Sequence, residues 1–560
     1  GSPLLGSAFD LNPSGEDEFV WLGSPRGVAV RTLVTGWALF GNTIAPYWVV
    51  LTVIYVVNAF LFLIFGQWLG HLFRGLPPLK AYTVEIAGSI LGIVVFAAAS
   101  FLWLPPPLWF LIGFVLILLI LDGGMRNYAT AIPVSLAIIV GSAYFSSQFT
   151  WSPYYKIHIA PFDSITAPDG RDLFTAGRPI GHTLTVNNDY HQMIVDLTPG
   201  RDEHPFFRSW RWLYDYPYRQ GKDAPEGPIL IVGAGTGNDV SAALRNTRSR
   251  IDAVEIDPVI LQLGRRYHFE QPYQDPRVKV SVNDARSFFA RTEQRYAKVV
   301  FGFLDSHTLM SGFSSVRLDN FVYTYESLAR VKEILLPGGE VYLTFATNKR
   351  WLHERLVKLM DSVFDYPTEF AFEADYKFAN GVVYKNGKAR TPPGREPLPR
   401  LPGVRIPTDD WPFLYMRDAS IPRHYKVFMV MVMVMGAGAL LLLPVGQRKL
   451  KLPYFFMGAG FFLIETNNVV SLSLLYGSTW VVNVLVFTGI LTLILLGNLT
   501  CMATERPRFA LVFALLFVNL AVAYGVSPAD VLNIKSTFLQ GLVAVLVFLG
   551  PIYFASLVFG

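Results

Sequence analysis

Cysteine is almost missing from the 560 residues. Cys501 stands alone, which excludes an internal disulfide and any cysteine-built metal centre. Charge is scarce too. Only 16% of the residues are Asp, Glu, Lys or Arg, against about 25% in soluble domains, while 52% are hydrophobic. That balance excludes an ordinary soluble enzyme. The net charge of +5 does not argue for nucleic acid as a partner, because basic loops of a membrane protein produce the same excess. A cleavable signal peptide is not visible either, since the chain opens on the polar "GSPLLGSAFDLNPSGEDE". No Met begins it and its last residues, "YFASLVFG", are still apolar, so a piece of a longer protein is expected.

What is present in abundance is long apolar runs. A run of about 20 residues spans the roughly 30 Å of bilayer hydrocarbon as a helix. Such runs occur near 45–72, 83–103, 107–122 and 129–146, and again near 425–444, 453–475, 479–500, 508–527 and 538–558. The reading is four spans, a soluble insert, then five spans. The prolines of "LPPPLW" predict a tight hairpin before the short third run. An extramembrane segment, 1–44, precedes the first span, and its stretch 26–43, with two arginines, is expected to lie along the interface.

The insert has globular composition. Short alternating runs such as "HTLTVNNDYHQMIVDL" predict a small β-rich subdomain over 150–225. From 226 to 390 the pattern changes to strand–loop–helix units: "ILIVGAG" before "DVSAALRN", "IDAVEID" before "PVILQLGRRYH", "VKVSVND" before "ARSFFART". That alternation predicts a Rossmann-like, doubly wound parallel sheet. "YKNGK" at 384–388 reads as a hairpin turn near its end. A proline-rich linker and a membrane-docking segment that includes "TDDWPF" (Asp409, Asp410, Trp411) fill 391–424. The fold class is an α-helical polytopic membrane protein with an inserted soluble α/β domain.

The chemistry gathers at the strand ends. Gly233, Gly235 and Gly237 follow the first strand and open a helix. Lacking Cβ atoms, they let the backbone turn sharply and come close to a ligand at a helix N-terminus. The next strand ends in Glu255 and Asp257, about 20 residues on, where an acid accepts ribose hydroxyls. The third ends in Asp284, placed to read an adenine amino group. Each acid is also a plausible helix N-cap. Together they point to a nucleoside site.

The run "ILIVGAGTGNDV…DAVEIDPVILQLGRRY…DPRVKVSVNDARSFF…VVFGFLDSH…VYTYESL…LLPGGEVYL", about 228–345, resembles the spermidine synthase family, a branch of the class I AdoMet-dependent methyltransferase fold. The flanking runs look like bacterial multi-pass proteins fused to such a domain. The resemblance implies AdoMet or decarboxylated AdoMet as ligand and no metal. It places Glu255 on the ribose, Asp284 on the adenine and Asp305 as catalytic acid–base. Two departures argue against a polyamine substrate: Thr236 stands where the family's glycine loop has Asp, and Thr308 replaces the second Asp of D-x-x-D-P. Asp305, His307, Tyr190, His191 and Tyr323 are the candidate acid–base or acceptor-orienting groups.

Within the spans, Glu85 and Glu465 stand out because an ionisable group in hydrocarbon is costly. If all nine runs cross, Arg74, Lys80, Arg126, Arg448, Lys449, Lys451, Arg506 and Arg508 share one side, with Lys535 opposite. The positive-inside bias then makes that side cytoplasmic and puts the soluble domain outside a bacterial inner membrane, in conflict with AdoMet supply. Arg423 and Lys426 weigh the other way. The expected function is transfer of an aminopropyl or methyl group from an AdoMet-type nucleoside to an unknown acceptor. Two alternatives stay open: a non-enzymatic subunit or sensor of a larger membrane complex, and a transporter with a regulatory nucleoside-binding domain. Expected partners are the lipid bilayer, the nucleoside, and membrane-complex subunits or a homo-oligomer, with no nucleic acid.

Overall fold

The computed structural model describes residues 47–120, 124–166, 172–187, 189–200, 204–220, 225–304, 321–345, 350–372, 381–390, 404–421, 423–441, 452–477, 479–504, 508–532, 534 and 537–559. The expected interfacial stretch 26–43, the linker residues 391–403 and the candidates Asp305 and His307 lie outside them. The chain divides into two compact units. One comprises residues 1–20, 25–95 and 415–560, and the other 21–24 and 96–414.

The first unit holds helices at every expected apolar run from its own share of the chain. They are α1 (Tyr47–Phe73) and most of α2 (Pro78–Phe101), then α11 (Arg423–Leu441), α12 (Leu452–Tyr476), α13 (Trp480–Ala503), α14 (Phe509–Gly525), α15 (Pro528–Leu532) and α16 (Thr537–Ala544), with α17 (Gly550–Phe559) after one π turn at Val545–Leu549. Two further apolar helices, α3 (Pro106–Ile120) and α4 (Gly124–Ser146), belong to the second unit. Six stretches are long and apolar enough to cross a membrane: Thr52–Phe73, Pro78–Phe101, Gly124–Ser146, Phe455–Tyr476, Trp480–Ala503 and Leu539–Val558. Pro106–Ile120, Lys426–Leu441 and Phe509–Gly525 are shorter. Their sequences are apolar all round, so there is no polar face for water, and a helix of that kind needs an apolar surround. Phe62, Leu119 and Phe517 accordingly present 74%, 75% and 66% of their surface. Inside the first unit Leu475, Val486, Phe548, Leu549 and Ile552 form a buried core shared by α12, α13 and the α16–α17 run.

The second unit contains the sheets. β1 (Thr150–Trp151), β2 (Lys156–Phe162), β5 (Gly181–Val186) and β6 (Asp189–Val195) make an antiparallel sheet in the order β1-β2-β5-β6, with β3 (Ser164–Thr166) and β4 (Asp172–Thr175) as a separate pair. Helix α5 (Pro205–Arg219) follows; His204 caps it by accepting the Phe206 N–H. The larger sheet is built from β7 (Ile229–Val232), β8 (Ile251–Glu255), β9 (Val278–Val282), β10 (Tyr296–Phe301), β11 (Leu335–Phe345), β12 (Glu369–Phe372) and β13 (Val382–Gly387), in the order β12-β13-β11-β10-β7-β8-β9. Helices α6 (Asn238–Asn246), α7 (Pro258–Tyr267), α8 (Ala285–Arg291), α9 (Tyr325–Ile334) and α10 (Arg350–Val363) alternate with the strands.

β7 to β11 are parallel, whereas β13 runs antiparallel to both β11 and β12. The chain therefore lays β8 and β9 on one side of β7 and returns to place β10 on the other. That reversal opens a crevice at the carboxyl ends of β7 and β10, where doubly wound sheets bind ligands. The strands are buried on both faces, which is why "ILIV" and "YAKVVF" read as continuous rather than alternating runs.

The small sheet is joined to the large one through packed side chains. Ile157, Leu184 and Val186 pack on Val259, Ile260 and Leu263 of α7, and Val195, Leu197 and the aromatic face of α5 join the core beneath β7. One expectation fails here. "YKNGK" is no hairpin turn: β13 runs through Tyr384–Gly387, in register with β11. The buried Asn386 amide donates to the Tyr366 carbonyl at 2.7 Å and to Thr368 Oγ1 at 3.0 Å. The Asn is used to tie two strand ends together, and so leaves the turn conformation that Asn-Gly otherwise favours.

Candidate functional site

The glycine loop closes β7 at the crevice. Gly233, Gly235 and Gly237 all have positive φ, at +67°, +55° and +107°. At Gly237, which caps α6, a side chain would meet both this backbone strain and Pro272 Cγ, 2.7 Å from a Cβ built there. The loop is held from three directions. Its Gly235 N–H donates to Glu255 Oε2 at 2.8 Å. The Tyr273 hydroxyl donates to the carbonyl of Gly235 at 2.7 Å. Asn238 Nδ2, in the first turn of α6, donates to the Met193 carbonyl of β6 at 2.7 Å and to Tyr214 Oη of α5 at 2.9 Å.

Glu255 is the hub of the acid cluster. Its Oε1 also accepts the Asp257 N–H at 2.9 Å. Burial pushes its carboxyl up to about 7, against the opposing pull of the backbone donors at Asp257 and Gly235. Asp257 serves the scaffold instead. Its Oδ1 accepts the Val259 N–H at 2.8 Å as N-cap of α7, and its Oδ2 accepts from Ser152 Oγ at 2.6 Å. Through these two bonds Asp257 fixes the helix and the 150–155 segment. Asp284 caps α8, accepting the Ser287 N–H at 2.9 Å. It is buried and stands at the end of β9 as the third acid of the row.

Several groups here carry no signal in the strand-end pattern. Tyr154, from the loop before β2, lies within electrostatic reach of Asp257, Asp284 and Glu255, so burial and then these three acids drive its phenol far above the usual range. Ser152 shapes that loop by accepting the N–H groups of Tyr154 and Tyr155. Gln192 of β6 approaches the glycine loop: its Oε1 is 2.7 Å from a Cβ built on Gly235, and its buried Nε2 has no hydrogen-bond partner among the described residues. Thr236 Oγ1, fully buried within the loop, has none either. Leu304, just after β10, lies over Gly233.

Asp239 is the most unexpected of them. It sits in the first turn of α6, 7% exposed, with Oδ2 2.8 Å from a Cβ built on Gly302 at the end of β10. Burial alone raises its carboxyl to about 7. This acid therefore stands at the point where the strand order reverses. Its place immediately after the glycines is the one signal of it in the sequence.

The other candidates are dispersed. A bulge at His191 interrupts the alternation of β6, so Tyr190 pairs with Thr185 and Gln192 with Leu184, and Tyr190 lies within electrostatic reach of Tyr214. The His191 ring is 6.0 Å from that of Tyr155. Tyr323 is fully buried between Phe301 and Phe345, ring centroids 6.1 and 5.3 Å away. That places it in the aromatic core beside the crevice.

"TDDWPF" makes side-chain contacts within the α/β unit itself. Asp409 pairs with Arg286 at 2.7 Å and accepts from Thr324 Oγ1 at 2.7 Å. Trp411 is buried beneath the guanidinium groups of Arg355 and Arg405. Its aromatic surface is thereby consumed within the domain.

Comparison with known proteins agrees with this geometry. Residues 221–379 match the family model described as the spermine/spermidine synthase domain. A polyamine aminopropyltransferase of Vibrio vulnificus (strain CMCP6) is 35% identical over 128 residues, covering 22% of this chain and 40% of that protein. An eEF1A lysine and N-terminal methyltransferase homolog of Drosophila pseudoobscura pseudoobscura is 32% identical over 207 residues, covering 36% of this chain and 29% of that one. The chain thus spans less than half the length of either relative. Among solved structures, a probable spermidine synthase from Corynebacterium glutamicum ATCC 13032 aligns at 18% identity and a TM-score of 0.31, over 42% of this chain and 77% of that one. What the molecule contains, within a largely helical chain, is a domain similar to the spermidine synthases and to methyltransferases of related build.

Proposed function

We propose that the α/β unit binds an AdoMet-type nucleoside at the glycine loop and transfers a methyl or aminopropyl group from it to a nucleophilic acceptor. The observation that carries this reading is Glu255. It is a buried carboxylate at the end of β8, bonded to the glycine loop by the Gly235 N–H and set beside the switch point of the sheet. The unpartnered Gln192 Nε2 and Thr236 Oγ1 supply further polar capacity at the same loop, so the residues present suit a polar, sugar-bearing ligand. Relatives named as polyamine aminopropyltransferase and putrescine N-methyltransferase support both forms of the transfer.

When bound, such a sulfonium supplies an electrophilic carbon: the acceptor's lone pair forms the new bond, and the breaking C–S pair returns to sulfur as a neutral thioether. The acceptor must then give up a proton. Asp239, at the crevice with its carboxyl raised to about 7, is suited to take it near neutral pH. Asp305, implied for this role by the resemblance, comes four residues after the end of β10 in the sequence. Glu255 accepts from the ribose hydroxyls, and Tyr154 covers the acid row from the small sheet. The acceptor we infer is not a polyamine, because the loop carries the neutral, buried Thr236 where an anionic anchor for a cationic amine is needed.

Calorimetry on the full chain in lipid nanodiscs, with AdoMet, decarboxylated AdoMet and methylthioadenosine, tests the proposal. Binding of one of them, weakened at least about thirtyfold by Glu255→Ala through loss of charge-assisted hydrogen bonds, is expected. No heat from any of the three overturns the nucleoside site.

A further inference from the structure

The helical unit contains a cavity of about 510 Å³, within the size range of small-molecule sites. Its wall is mostly apolar, and four polar side chains enter it: Tyr82 of α2, Glu465 of α12, Asn498 of α13 and Ser556 of α17. Phe461 and Phe487 line it as well. Phe461 and Glu465 are one turn apart on α12, and Phe487 and Asn498 lie on a common face of α13, so both helices turn an aromatic and a polar group to the same space.

Two of the polar groups lack what they need. Asn498 is 1% exposed, and its Nδ2 has no hydrogen-bond partner among the described residues. Such a buried orphan donor is costly unless an acceptor reaches it. The Glu465 carboxyl likewise has no ion-pair or hydrogen-bond partner among the described residues. Ser556 differs: its hydroxyl donates to the Tyr553 carbonyl at 2.7 Å. An acid placed inside an apolar helix is retained where it meets a cation or a proton, and aromatic faces beside it favour a cation further.

We propose that this cavity is a binding site for a small organic ammonium whose apolar body carries an oxygen acceptor. The ammonium would donate to the Glu465 carboxylate, the ligand oxygen would accept from Asn498 Nδ2, and the body would lie against Phe461 and Phe487. The inference is independent of the nucleoside reading, since every residue it uses belongs to the helical unit. A free amine and an aminolipid headgroup share this chemistry.

The test is saturation binding of tritiated 2-amino-1-phenylethanol, which carries both the ammonium and an oxygen acceptor, to the full chain in phosphatidylcholine nanodiscs, corrected with empty discs. The expected result is one saturable site, at least tenfold weaker in Glu465→Gln and in Asn498→Ala, unchanged in Phe462→Leu on the exposed face of α12, and not displaced by neutral 2-phenylethanol. Unsaturable uptake, equal binding by correctly folded Glu465→Gln, or displacement by 2-phenylethanol as strong as by the amine overturns it. Should Glu465→Gln fail to fold, Asn498→Ala and the alcohol arm still decide. In discs containing phosphatidylethanolamine, displacement of the probe assigns the ammonium to a lipid, and undisturbed binding assigns it to a free amine.

Discussion

Two buried carboxyls with the same shifted titration have opposite consequences for this protein. Glu255 is raised to about 7 by burial, and ribose hydroxyls would stabilise its charged form. Nucleoside binding is therefore expected to strengthen with pH, by about tenfold between pH 6 and pH 8, which calorimetry at the two pH values checks. Asp239 is raised to about 7 by burial alone, above its unfolded value. Its contribution to stability is full below about pH 4 and is lost as pH rises through about 7. Asp239→Asn removes that loss. The variant should gain on the order of a few kcal/mol over the parent at pH 8 and little below about pH 4, read from unfolding followed by tryptophan fluorescence, while transfer activity falls at least a hundredfold. Glu255 is legible in the sequence because the interval between a glycine loop and the next strand's acid follows from the βαβ unit. Tyr154 and Gln192 are not, since their roles depend on how the small sheet folds back over residues some tens of positions later. Asp239 is hidden for another reason: burial, which shifts it, is a property of packing and not of spacing.

The elements around the site are tied together by side chains that a local pattern assigns elsewhere. Residues 404–414 are strapped to α10 by Arg355, which is fully buried, donates to the carbonyls of Arg405 at 2.8 Å and Leu414 at 2.6 Å, and lies between Trp351 and Trp411. Removing it frees two carbonyls and two indole faces at once. Arg355→Ala should cost about 3 kcal/mol and expose the strap, so that trypsin cuts near Arg417 at least tenfold faster in limited proteolysis. Asp284→Ala is milder for the fold, about 1 kcal/mol through the lost cap of α8. A nucleoside affinity that falls by more than that amount in the same variant would separate its cap role from a role at the site. The alternating strand–helix pattern of 226–390 is readable because each parallel strand is buried on both faces and each helix on one. "YKNGK" misleads because turn-forming residues have strong local preferences, and in this fold Asn386 is claimed by a tertiary contact with Tyr366.

For the chain as a whole, the decisive matter is which helices cross a bilayer, because each crossing changes the side of everything after it. Among the described residues, α11 is the one helix between the α/β unit and the basic residues Arg448, Lys449 and Lys451 of the sequence. Its apolar part, Lys426–Leu441, is among the shorter apolar helices. The full 19 residues nevertheless rise about 28 Å at 1.5 Å each, close to the hydrocarbon thickness. Crossing also suits the exposure of Met433 and Val434, at 70% and 65%, which in water would be an unfavourable patch. With α11 across, the positive-inside bias predicts Lys449 in the cytoplasm and the α/β unit outside it, so a nucleoside made in the cytoplasm would have to be delivered across the membrane. In a Cys501→Ser background, Lys449→Cys and Arg248→Cys should react with a membrane-impermeant maleimide from opposite faces of intact vesicles, Arg248→Cys from the outer face. Labelling of both from the inner face would mean that α11 does not cross, and would return the α/β unit to the side where AdoMet is synthesised.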